Sequence, residues 1–175
     1  MDILENLMRV IDLRSFGSIW FWIVVALFWS AVTQTILGAS YDLIVRARRS
    51  GGQSLSDLHA LVEIQSRRMT VLMDRVGHWI VAFVGGGLAL TFMLAFAYRI
   101  ELAQAIFVLL LPLSIIRILT LRLAYRIQRQ NLRGDLLIRA LLRHRFWLQL
   151  LGVVTIFTAA TWGMLRVMNA SVLGM

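Results

Sequence analysis

Cysteine and lysine are both absent from the 175 residues, and proline occurs once, at Pro112. The lack of thiols excludes structural disulfides, thiolate metal centres and a cysteine nucleophile. Acidic residues number only nine, and none lies in the middle of an apolar run, so a proton relay or cation pathway has no evident carrier. No P-loop, Ser-His-Asp arrangement or paired-carboxylate site is present, so neither a catalytic centre nor a cofactor is expected.

What the chain has in quantity is apolar surface. It is 59% hydrophobic and 15% charged, with a mean hydropathy of +0.77, too apolar for an ordinary soluble domain. The apolar residues gather in four runs, at 18–37, 78–97, 102–121 and 146–165, each about the 20 residues that a helix needs to cross hydrocarbon. Trp20, Trp22, Trp79, Tyr98, Tyr125, Trp147 and Trp162 stand at or near their ends, the depth that amphipathic rings prefer. The expected fold is therefore all-α: one polytopic membrane domain over 1–175, with four transmembrane helices.

All 18 basic residues are arginine, and 13 of them fall in two segments. Arg46, Arg48, Arg49, Arg67, Arg68 and Arg75 lie in 38–77; Arg122, Arg126, Arg129, Arg133, Arg139, Arg143 and Arg145 lie in 122–145. In a soluble protein a net charge of +9 would suggest nucleic acid, but here the distribution follows the positive-inside rule and no nucleic-acid partner is expected. Both segments are assigned to the cytoplasm and both termini to the periplasmic side of a bacterial inner membrane. Exclusive use of arginine fits either a preference for bidentate phosphate contacts or a GC-rich coding bias. Arg46, Arg48, Arg49, Arg122, Arg126, Arg129 and Arg133 are the candidate contacts for anionic phospholipids or a partner, at about 1 kcal/mol per arginine near the surface.

Local patterns refine this picture. Ile3, Leu4, Leu7, Met8 and Ile11 share a helical face, so 1–17 reads as an outer amphipathic arm, lying in the interface or against a partner, and with no basic n-region or A-x-A site the first apolar run is expected to stay. Gly51 and Gly52 are expected to end one helix, with Ser54 starting the next in an approximate capping box with Asp57. That helix should run directly into the second span. Arg122, Arg126, Arg129 and Arg133 should form one stripe on a helix continuing from the third span, and periodicity resumes after Gly134. Both arginine segments are thus cytoplasmic helical extensions.

Few polar groups lie in or beside the runs. His78 and His144 each begin a span and could meet, but two histidines without a carboxylate or thiolate are an incomplete metal site; no metal is expected, and His59 reads as a solvated helix residue. Arg117 is the only formal charge well inside an apolar run, where charge suggests function, but it lies close enough to the cytoplasmic end to snorkel. Gln34 and Gln104 are suited to interhelical hydrogen bonds, and a kink at Pro112 is tolerable where neighbouring helices satisfy the freed carbonyl. Ala82 with Gly86, Gly85 with Ala89, and Thr155, Ala159 and Gly163 recur at intervals of four. Such faces let helix backbones approach closely, within this bundle or against another protein; Gly85, Gly86, Ala159 and Gly163 are the candidate packing positions.

The stretches "IDLRSFGSIWFWI", "RARRSGGQ" and "LRHRFWLQLLG" resemble a tetraspan family of alphaproteobacterial inner-membrane proteins often labelled "component of SufBCD complex". The resemblance covers almost the whole chain and rests on topology and helix boundaries. It implies a four-span protein and a role as membrane anchor for the Suf iron-sulfur assembly machinery. The residues themselves point to a non-catalytic accessory or bridging subunit of a larger inner-membrane assembly. Respiratory complexes or supercomplexes are the favoured host, because they are the most abundant large assemblies of such a membrane. A small transporter is a third reading.

Overall fold

The computed structural model describes residues 19–172. The expected arm at 1–17 lies outside the described residues. Five helices follow in order: α1 Ile19–Gln34, α2 Tyr41–Ser50, α3 Gly52–Phe96, α4 Glu101–Gln130 and α5 Gly134–Val172. Among the described residues α3, α4 and α5 are long and apolar enough to cross a membrane, and α1 is a shorter apolar helix. At 45 residues α3 is about 67 Å long, more than twice the roughly 30 Å of a hydrocarbon core. Its first half is therefore the expected helical extension, continuous with the expected span at 78–97.

α1 stops at Gln34, three residues before the apolar run ends, because the chain reverses in a short hairpin. β1 (Thr35–Ile36) pairs antiparallel with β2 (Ala39–Ser40), with Thr35 opposite Ser40 and Ile36 opposite Ala39. The two turn residues, Leu37 and Gly38, both have positive φ (49° and 78°), as a hairpin of the primed type requires. Leucine is an uncommon residue in that conformation, and its side chain is held there by burial (5% exposed). Ser40 then caps α2 by accepting a hydrogen bond from the Leu43 amide (3.3 Å).

The next boundary differs from expectation by a few residues. α2 ends at Ser50 and Gly51, at φ +58°, is its cap, but α3 begins at Gly52, so Ser54 lies inside the first turn and caps nothing. Asp57 accepts instead from the Gln53 side chain (2.9 Å). α4 closes on Asn131 in the left-handed conformation, with the Leu132 amide bonding back to Ile127 O (3.2 Å). Arg133 therefore sits in the connection, and the arginine stripe on α4 comprises Arg122, Arg126 and Arg129. Pro112 is buried within α4, which runs through it as one helix.

The tightest packing lies outside the apolar spans. The largest fully buried side chains, Ile44, Leu58, Val62, Ser66, Leu137 and Leu141, come from α2, the first half of α3 and the start of α5. The five apolar ones among them join Leu123, Ala124 and Ile127 of α4 in a core at the arginine-rich end, which continues into the apolar helices through Trp29, Ile116 and Leu148. By contrast, only 6% of the most apolar stretch of α3 is buried inside the chain, and 28% of the corresponding stretches of α4 and α5. A helical cap with a water-type core thus stands on loosely covered apolar helices. This is the arrangement expected when burial from water drives packing at one end and lipid, as apolar as leucine, surrounds the other.

Candidate functional site

Two surfaces collect the residues singled out by their sequence pattern. The first is the exposed face of α3 around its glycine triplet. Ala82, Gly85, Gly86 and Ala89 are all exposed, and a Cβ placed on Gly85, Gly86 or Gly87 would meet nothing within 4 Å. Among the described residues, therefore, nothing packs on Gly85 or Gly86. Their neighbours Phe83 (85% exposed) and Trp79 (70%) are also uncovered.

Ala159 and Gly163 behave differently. Both are buried, as is Thr155, so the α5 series does face the interior. A further close approach, absent from the interval-of-four reading, occurs at Gly152. Its Cβ position lies 3.0 Å from the Trp29 ring, so the glycine is the seat on which α1 packs against α5. Trp29 is 6% exposed and its Nε1 has no hydrogen-bond partner among the described residues, so it acts as packing volume.

Gln104 fastens the end of the bundle remote from the arginine-rich cap. It is buried, donates through Nε2 to Ala95 O (2.8 Å) and accepts from Trp162 Nε1 (3.3 Å). Ala95 O is among the last carbonyls of α3, which lack helical donors, so one side chain caps α3 and ties α4 to α5. Gln104→Leu should keep the volume and lose both bonds. The expected cost is about 1–2 kcal/mol in detergent unfolding, with loosening confined to that end; an unchanged unfolding midpoint would contradict the assignment.

The second surface is the arginine-rich end. Arg48, Arg49, Arg122, Arg126, Arg129 and Arg133 are exposed there, as is Arg46, which is paired with Asp42 one helical turn away. Arg126 donates to Gln130, Arg129 lies over the Tyr125 ring (5.9 Å) and Arg133 donates to Asn131. The seven candidates thus divide. Arg122, Arg126 and Arg129 line α4, whereas Arg48 and Arg49 on α2 meet the first turns of α5, which bring Arg139, Arg143 and Arg145. That juxtaposition escaped the sequence pattern, because α2 is a separate short helix whose orientation is set by burial of Ile44 and Ala47.

Two open clefts result. One, of about 360 Å³, is lined by Arg48, Asp135, Ile138, Arg139, Leu142 and Arg143. The other, of about 410 Å³, is lined by Tyr41, Ile44, Val45, Arg48, Arg49 and Leu142. Arg139 is paired with Asp135 (2.5 Å), and the Arg145 guanidinium stacks 3.9 Å from the Tyr41 ring centre.

The extensions of α3 and α4 are tied by polar contacts. Thr70 donates to Gln128 (3.0 Å), and Tyr125 donates to Asp74 (2.5 Å), a bond that raises the Tyr125 pKa because the carboxylate favours the protonated phenol. His59 is not a solvated bystander: its Nε2 accepts the Gly134 amide (2.9 Å), satisfying a free N–H at the start of α5 from across the cap. The two span-boundary histidines have separate environments. His144 is buried against Thr120 (3.2 Å), while His78 is exposed beside Trp79. Arg117 is exposed on α4. Among the described residues no group of three His, Asp or Glu side chains could hold a metal ion. Comparison with protein-family models, with curated proteins and with solved structures found no match to this chain.

Proposed function

We propose that the chain is a non-catalytic accessory or bridging subunit of a larger inner-membrane assembly, with a respiratory-chain complex or supercomplex as the favoured host. In this reading α1 is the first of four spans, the arginine-rich cap faces the cytoplasm and both termini are periplasmic. The observation that carries it is the open small-residue face of α3. Lipid asks for no particular residue there, whereas small residues at intervals of four, flanked by the exposed rings of Trp79 and Phe83, suit the close backbone approach by which helices associate in lipid. The seating of Trp29 on Gly152 supports α1 as a span, since it lays α1 along the apolar part of α5.

The test is purification of a tagged chain from native membranes in mild detergent, with mass spectrometry of co-eluting proteins. A membrane complex should co-elute and survive moderate salt. Gly86→Leu should release it while shifting the unfolding of the isolated chain by less than about 0.5 kcal/mol, because none of the described residues touches that position. The 13 arginines of the cap favour a second reading, a membrane anchor for a cytoplasmic machine such as the SufBCD system. Loss of the partner with salt or on changing Arg122, Arg126 and Arg129 to Gln, with retention in Gly86→Leu, would replace the first reading by the second.

A further inference from the structure

We infer that the paired clefts between α2 and α5 hold a phospholipid headgroup bearing two phosphates, one phosphate in each cleft with Arg48 between them. Charge is the first argument. The two clefts carry Arg48, Arg49, Arg139 and Arg143 against the single carboxylate of Asp135, a net of +3 from four arginines less one acid. Asp135 is taken by Arg139. Among the described residues Arg48, Arg49 and Arg143 make no hydrogen bond or ion pair, so three guanidinium forks remain open around two adjoining concavities. Such forks match phosphate oxygens in bidentate fashion.

Shape and depth are the second argument. The clefts share Arg48 and Leu142, so two phosphates joined by a short linker could occupy both at once, whereas a headgroup with one phosphate fills only one. Their floor is apolar: Ile44 and Ile138 are buried, and Val45 and Leu142 are partly buried. A soluble diphosphate would gain nothing from that floor; the glycerol and first acyl carbons of a lipid would. Phe146 (60% exposed) and Trp147 (52%) directly follow Arg145, so the clefts sit within about a turn of the aromatic residues that mark headgroup depth. The inference rests on the reading of the chain as membrane-inserted.

The test uses the full chain, purified in detergent, stripped of lipid and titrated with diphosphatidylglycerol, phosphatidylglycerol or inorganic pyrophosphate, with bound species read by native mass spectrometry. One diphosphatidylglycerol per chain should be retained at least tenfold more strongly than phosphatidylglycerol, and pyrophosphate should not displace it. Arg48→Gln with Arg143→Gln should lower retention roughly tenfold or more, while Arg126→Gln with Arg129→Gln on α4 should leave it unchanged. Both pairs are exposed, so unfolding midpoints close to the parent's verify that the cap is intact. Equal retention of the two lipids, equal loss in both double variants, or displacement by pyrophosphate would each overturn the assignment. Release of the chain from native membranes by alkaline extraction would instead remove the membrane reading beneath it, a failure visible before any lipid is added.

Discussion

Leu58→Ala should lower the stability of the isolated chain by about 2–5 kcal/mol, the range for deleting a fully buried leucine and leaving a cavity. Phe83→Ala removes a larger side chain from the most apolar part of the same helix and should change stability by less than about 0.5 kcal/mol. The contrast follows from position alone: Leu58 is fully buried in the cap, and Phe83 is 85% exposed. Two-state conditions in one detergent, with unfolding followed by far-ultraviolet circular dichroism, would measure both. Equal losses would mean that the chain's core lies in its spans, contrary to the packing described above.

A second large effect is expected where α1 meets α5. Any side chain at position 152 must enter space occupied by the Trp29 ring, already 3.0 Å from where a Cβ would stand. Gly152→Leu should therefore cost about 1–3 kcal/mol through overpacking and part α1 from α5. Trp29→Ala alone should also be costly, because it empties a buried site. The double variant should be less destabilised than the sum of the two, since the leucine would fill volume that the indole vacated. Strict additivity would show that the two residues do not pack together in solution.

Much of the architecture was legible in the sequence, because it depends on run length and period. The four apolar runs correspond to α1 and the apolar parts of α3, α4 and α5, and the continuity of α3 follows because the periodic apolar residues from Leu58 to Val76 lead into the run at 78–97 with no proline between. Gln104 was legible as an interhelical donor and acceptor, since a buried amide in a span must bond a neighbour. The hairpin at 35–40 was hidden because Thr35, Ile36 and Leu37 are as apolar as the helix before them, and a leucine at positive φ leaves no turn signature. Ser54 looked like a cap because spacing cannot tell a first-turn serine from a capping one. The arginines divide for a similar reason. Spacing relates Arg122 to Arg126, but only the docking of α2 on α5 brings Arg48 beside Arg143. Period likewise found the small residues of α3 and α5 without saying which face lipid, a partner or the bundle; Gly85 and Gly86 face outward, and Ala159 and Gly163 inward.

The central claim, that another protein covers the open face of α3 in the membrane, can be tested with a single labelled residue. Because the chain has no cysteine, Gly86→Cys introduces a unique thiol, to which a photoactivatable benzophenone can be attached in native membranes. Irradiation should give one discrete adduct with a different membrane polypeptide, absent when the same labelled chain is irradiated alone in detergent. Adducts with lipid only, or a ladder at multiples of the chain's own mass, would contradict the account.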